Sequence, residues 1–136
     1  MFTLGVSDHI MIAHSFADPF FGPAQRLHGA TYGVELTVQT PELGPHQVVM
    51  DIGAMRDILR RVLASLDYTN LDEHPAFPGR TSTTERLAQF LARSIGKEIA
   101  KLPADAAPPR PAKLCVLLRE SPVAWASFEL PLEEAA

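Results

Sequence analysis

The sequence predicts an α+β domain, an antiparallel sheet covered on one face by a pair of helices. Apolar and polar side chains alternate along residues 32–38 and again along 124–130, which is the pattern of a strand with one buried face. Two stretches in the middle of the chain instead space their apolar residues three and four apart, as a helix with one buried face does. The elements therefore run strand, strand, helix, helix, strand, strand. Helices grouped between strands indicate a sheet with a helical layer on one side rather than an alternating parallel fold.

Residues 2–6 and 9–13 read as one long strand, or as two joined at Ser7-Asp8. Pro19, Gly22 and Pro23 make 18–25 a loop. A second strand runs from about Ala30 to Gln39, and Pro41 with Gly44-Pro45 makes a turn. Residues 47–50 then read as a short return strand that closes a hairpin. Asp51 suits a helix N-cap, because its carboxylate can accept the free amide protons of the first turn. Met55, Ile58, Leu59, Val62, Leu63 and Leu66 follow on one helical face, with Arg56, Asp57, Arg60 and Arg61 on the other. That helix is expected to end near Leu66, and 67–80 connects it to the next.

Ser82-Thr83-Thr84-Glu85 has the form of a capping box, which makes Glu85 in the first instance a capping residue. Leu87, Leu91, Ile95 and Ile99, widened by Phe90, give the second helix its stripe, and Lys97 and Lys101 lie where a helix end favours positive charge. Residues 103–111 carry four prolines and form a surface connection. The apolar run 114–118 reads as a central strand with Cys115 a buried core thiol. Ser121-Pro122 turns the chain into a last strand whose Trp125, Ser127 and Glu129 share a face.

The 136 residues are expected to form a single domain, 1–136. A net charge of −4 argues against a nucleic-acid partner. A lone cysteine fits a reducing compartment, no apolar run is long enough to span a bilayer, and the first residues lack the basic and apolar regions of a signal peptide. A cytoplasmic protein is expected.

Chemistry enters with the histidines. Met11-Ile12-Ala13-His14 ends an apolar segment on His14, and Leu27-His28-Gly29-Ala30-Thr31-Tyr32 opens the second strand. Together these segments resemble the family of 6-pyruvoyl-tetrahydropterin synthase and 6-carboxytetrahydropterin synthase, which carries a strand ending A-A-H and then C-x-x-x-H-G-H. The resemblance continues through Val48-Val49-Met50-Asp51, Leu66-Asp67-Tyr68 with Leu71-Asp72, Thr83-Thr84-Glu85 with Leu87-Ala88, and Leu118-Arg119-Glu120-Ser121. It covers nearly the whole chain in order.

The resemblance implies a tunnelling fold, β-β-α-α-β-β, assembled through its sheet edges into an oligomeric barrel, a trimer or hexamer with active sites between subunits. It implies a zinc site on His14 and His28, a proton relay that includes Asp67 and Tyr68, and a pterin-anchoring carboxylate at Glu120 with Thr83 and Thr84 beside it. Three positions depart from the pattern: Ala24 stands at the family's cysteine, Ala30 at its third zinc ligand and Tyr68 at its relay histidine. Zinc is thus a candidate cofactor one ligand short of the usual three. Tyrosine, with a pKa of about 10, is a weak base in place of histidine. Two functions follow from the resemblance. The first is a lyase of the pterin synthase type, acting on a reduced pterin or related heterocycle by proton transfer and side-chain elimination or cleavage. The second is a non-catalytic pterin- or purine-binding relative, or an assembly subunit that kept the fold.

Overall fold

The computed structural model describes residues 1–106 and 110–132. Two thirteen-residue strands, β1 (Phe2–His14) and β2 (His28–Thr40), pair antiparallel without interruption from Phe2↔Thr40 to His14↔His28. Ser7 and Asp8 pair with Glu35 and Val34, so β1 is one strand rather than two. Helix α1 (Ile52–Ala64) and a two-residue strand β3 (Thr69–Asn70) follow, then helix α2 (Thr84–Ala100) and strands β4 (Lys113–Ser121) and β5 (Ala124–Pro131). The sheet order is β3-β1-β2-β4-β5, antiparallel throughout except for the short β1–β3 pair. The expected α+β architecture holds, with β3 as an addition that two residues cannot announce in sequence.

Strand periodicity decides what faces the helices. Ile10, Ile12, Tyr32, Val34, Leu36, Val38, Leu114, Val116 and Leu118 all point to the covered side and are buried. Helix α1 lies on β1 and α2 on β4 and β5, and Met55, Ile58, Leu59, Leu87, Leu91 and Ile95 complete the core. Helix α2 packs on β4 and β5 with Gly96 at a close approach. A Cβ at that position would stand 2.8 Å from Leu130 Cδ2, so α2 approaches β5 as closely as it does because the helix has no side chain there. No helix among the described residues is long and apolar enough to cross a membrane.

Three expectations are corrected. Residues 47–50 form turns and bends, not a strand. Gln47 has φ of 61°, a left-handed conformation that breaks extended pairing, and Val49 and Met50 are buried as plugs of the core rather than as a strand face. Helix α1 ends at Ala64 with Ser65 as its C-cap, near the expected Leu66, which is buried in the turn that follows. Helix α2 is capped by Thr83, whose hydroxyl accepts the Arg86 amide at 3.2 Å, so the capping box centred on Ser82 and Glu85 does not form. Cys115 lies in β4, flanked by β2 and β5, but alternates away from Leu114 and Val116 to the uncovered face, where it is half-buried rather than part of the core. Desolvation still raises its thiol pKa above the ordinary value. The N-cap at Asp51 is as expected, its carboxylate accepting the Gly53 and Ala54 amides at 2.8 and 3.3 Å. The four-proline connection falls partly on 107–109, outside the described residues.

Candidate functional site

The covered face of the sheet ends where α2 begins, and that junction gathers the polar groups. β2 and β4 pair from Gln39↔Lys113 to Gly33↔Arg119, so the next step sets Glu120 beside Tyr32. Between Arg119 and Ser121 the pairing with β5 slips by one residue, a bulge in which Glu120 is left without a partner on β5. Bulges of this kind re-aim a side chain at the rim of a sheet. Glu120 Oε1 accepts the hydroxyl proton of Thr84, the first residue of α2. Thr84 Oγ1 also lies 3.3 Å from the Tyr32 hydroxyl. A threonine hydroxyl has one proton, and here it goes to the carboxylate, so Tyr32 donates to Thr84. Burial first, and the nearby Glu120 and Glu85 charges after it, raise the Tyr32 pKa above the ordinary phenol value and keep it a donor.

Glu120, Thr83 and Thr84 form one wall of an open cleft of about 700 Å³. Glu85, Arg86 and Gln89 of α2 extend that wall, and Phe128 of β5 also lines the cleft. Phe16, Phe20 and Phe21 also line it, with Phe16 and Phe21 centroids 4.4 Å apart and Phe20 and Phe21 at 5.2 Å. Phe20 and Phe21 lie in 3-10 turns over Pro19–Gln25, where a loop was expected; Asp18 caps them, its carboxylate accepting the Phe20 amide at 2.9 Å, and the Phe16 amide donates to the Ala24 carbonyl at 3.2 Å.

His14 and His28 stand directly opposite each other at the end of the β1–β2 ladder, ring centroids 4.6 Å apart. His14 Nδ1 is 3.0 Å from the Ser82 carbonyl and 3.0 Å from Ser82 Oγ; His28 Nδ1 is 2.8 Å from the Arg26 carbonyl. A carbonyl only accepts, so each Nδ1 carries the proton and each Nε2 holds the lone pair, the tautomer a metal-ligating histidine needs. His14 is 2 % exposed, and burial, followed by the His28 charge, lowers its pKa below 6.5. The third position, Ala30, offers a methyl group. No group of three histidine, cysteine or acidic side chains among the described residues is placed to hold a metal. The donor set does not make a three-ligand zinc centre. Phe16 packs on both rings, at 4.7 Å from His14 and 6.0 Å from His28, and lines the cleft, which neither histidine does.

Asp67 and Tyr68 do not line the cleft. The Asp67 carboxylate accepts the Met11 amide at 2.9 Å on the outer edge of β1, the service expected of a loop aspartate. Tyr68 donates its amide to the Met11 carbonyl at 2.7 Å, has φ of 59° and leaves its side chain 80 % exposed. The neighbouring Asp72 carboxylate accepts the amide and the hydroxyl of Ser15, at 2.9 and 2.5 Å, and so fixes the chain just after His14. Sequence reasoning missed Tyr32, the three phenylalanines and Arg86. Tyr32 was within reach, since it shares the face of His28 at four residues' distance along a strand. The phenylalanines gave no signal beyond apolarity in a proline-bounded loop.

A five-stranded sheet with a helix pair on one face and its polar cluster at the start of the second helix is a fold with known relatives. Residues 3–131 match the family described as 6-pyruvoyl tetrahydropterin synthase, and the chain belongs to that family. It is 24 % identical over 127 residues to 6-carboxy-5,6,7,8-tetrahydropterin synthase of Bacillus subtilis strain 168, covering 93 % of this chain and 84 % of the relative. The fold superposes on 6-pyruvoyl tetrahydropterin synthase of Caenorhabditis elegans with a TM-score of 0.77 at 20 % identity, covering 95 % of each chain. A catalytic-residue mutant of the Plasmodium vivax 6-pyruvoyltetrahydropterin synthase gives 0.73 at 18 % identity, over 95 % of this chain and 97 % of that one.

Proposed function

We propose that this chain binds a reduced pterin or a related guanine-like heterocycle in the cleft, with Glu120 as the anchor. The supporting observation is the Tyr32–Thr84–Glu120 hydrogen-bond chain, which orients a carboxylate toward a cleft lined by aromatic rings. A carboxylate so placed has acceptor capacity left for the two N–H donors on one edge of such a heterocycle, a charge-assisted bidentate arrangement. Thr83 contributes to the wall but is occupied as the helix cap. Family membership makes pterin the leading heterocycle.

The chain performs none of the standard synthase conversions in this reading. Ala24 has no acid-base group, the histidine pair is two-thirds of a zinc site, and neither histidine lines the cleft. Residues that act as a unit lose most of their effect when any one is removed. The test is turnover of dihydroneopterin triphosphate by the purified chain, followed by mass spectrometry of the pterin products. The expected result is none above the uncatalysed rate; turnover on the order of 1 per second or faster would overturn the reading.

One observation favours a second reading, a lyase with an altered catalytic set. Tyr68 is a large residue held at positive φ and exposed, and strained residues of that kind concentrate at functional sites. In an oligomer built through the sheet edges, Asp67 and Tyr68 would be supplied to a neighbouring subunit's cleft as the proton-transfer pair.

A further inference from the structure

A second groove, of about 470 Å³, lies on the outer side of α2 and shares only Arg86 and Gln89 with the heterocycle cleft. One wall is α2, which presents Arg86, Gln89, Phe90, Arg93 and Lys97 at helical spacing; the other comes from the connection before α2 and includes Phe77. Three of the lining residues are cationic and none is acidic. The chain as a whole has 16 acidic and 12 basic residues, so this concentration of one sign is local. None of the three cations has an ion-pair partner among the described residues. The acid nearest in sequence on this half of the helix, Glu98, is taken by Arg61 and Lys101 outside the groove. Arg86 donates to Gln89 Oε1 at 2.9 Å, which holds its guanidinium at the groove mouth with further N–H donors free. Stabilisation of the helix end accounts for Lys97 but not for Arg86 or Arg93.

The groove also has an apolar component. Phe90 and Phe77 meet edge to face at 5.4 Å; Phe77 is buried beneath, while Phe90 remains partly open to the groove. Phe90, against which His74 also packs edge to face at 5.4 Å, lines the groove between the cation at 86 and those at 93 and 97. Along the helix axis Arg93 is roughly 10 Å from Arg86 and Lys97 a further roughly 6 Å on. A base on Phe90 with a phosphate chain running toward Arg93 and Lys97 matches that spacing, and the arginines suit phosphate oxygens bidentately.

We propose that this groove is a second binding site, distinct from the Glu120 cleft, and that it takes a nucleoside polyphosphate. Base stacking on Phe90 and phosphate contacts from Arg93 and Lys97 recognise the ligand, and Arg86, on the wall common to both sites, is the residue through which they can influence each other. The test is calorimetric titration with ATP, adenosine and inorganic phosphate separately, on wild type, Arg93→Gln/Lys97→Gln, Phe90→Leu and Glu120→Ala. All four proteins are first checked for an unchanged circular dichroism spectrum and oligomeric mass. ATP is expected to bind wild type and Glu120→Ala equally, to bind the double variant at least tenfold more weakly, and to bind Phe90→Leu more weakly than wild type. Adenosine and phosphate are each expected to bind at least tenfold more weakly than ATP. ATP affinity unchanged in the double variant overturns the site. Phosphate binding as tightly as ATP overturns the nucleotide assignment, as does no ATP binding to wild type. Loss of ATP binding in Glu120→Ala alone would place the ligand in the first cleft. A failed heterocycle reading, by contrast, would leave the ATP results as they stand.

Discussion

The Thr84 hydroxyl serves two neighbours, donating its single proton to Glu120 and accepting the Tyr32 proton on its oxygen. A valine of the same shape would leave the Tyr32 hydroxyl, buried with its side chain, without an acceptor. Stranding one partner of a buried pair costs more than removing both, about 1–3 kcal/mol. Thr84→Val is therefore expected to lower stability by that amount in urea unfolding, Thr84→Ser to restore it, and Tyr32→Phe/Thr84→Val to recover part of the loss. An additive double variant would show that the three groups are not linked. In sequence Glu120 stands out as a carboxylate ending an apolar strand, and Thr83 and Thr84 as a helix start. Which hydroxyl capped and which faced the carboxylate was not legible, because Ser82, Thr83 and Thr84 are equally able caps. In the structure Ser82 is engaged by His14, 68 residues away, and Thr83 is the cap.

At the scale of elements, the helices and long strands were legible because each has one buried face, and the residues of that face recur at a fixed period. Failures came where a single backbone angle governs. Residues 48–50 are apolar enough for a strand, and only the left-handed Gln47 shows that they turn instead. The bulge at Glu120 is likewise a property of pairing with β5 and leaves no mark in composition. Gly96 illustrates a residue whose type has a packing reason. Glycine inside a helix costs stability relative to alanine, yet here it lets α2 settle onto Leu130 and Leu114. Gly96→Val should overpack that contact and destabilise by about 1–3 kcal/mol, read from thermal or denaturant unfolding. An increase in stability, as helix propensity alone would give, would contradict the close approach.

For the whole molecule, two edges remain. β3 covers only two residues of β1, and β5 presents eight residues with no partner on its outer side among the described residues. Open edges of that length are templates for pairing with another chain. A trimer or hexamer is the expected state in light scattering at micromolar concentration, and a monomeric mass would contradict it. Assembly is also where the sequence-level site and the site within one chain part company: His14 and His28 come together and Glu120 joins Thr84, while Asp67 and Tyr68 stay on the outer edge of β1. On the proposed function, heterocycle recognition rests on Glu120 and is independent of the incomplete metal site. A charge-assisted hydrogen bond to such a carboxylate contributes on the order of 1.5–3 kcal/mol, about tenfold or more in affinity. The direct measurement is calorimetric titration of a reduced pterin into wild type, Glu120→Ala and His28→Ala, each with and without EDTA treatment. The expected result is binding by wild type and His28→Ala that EDTA changes little, and a loss of about tenfold or more in Glu120→Ala with the oligomer intact. Binding abolished by His28→Ala or by EDTA and unchanged in Glu120→Ala would contradict the account and make the histidine pair the active element.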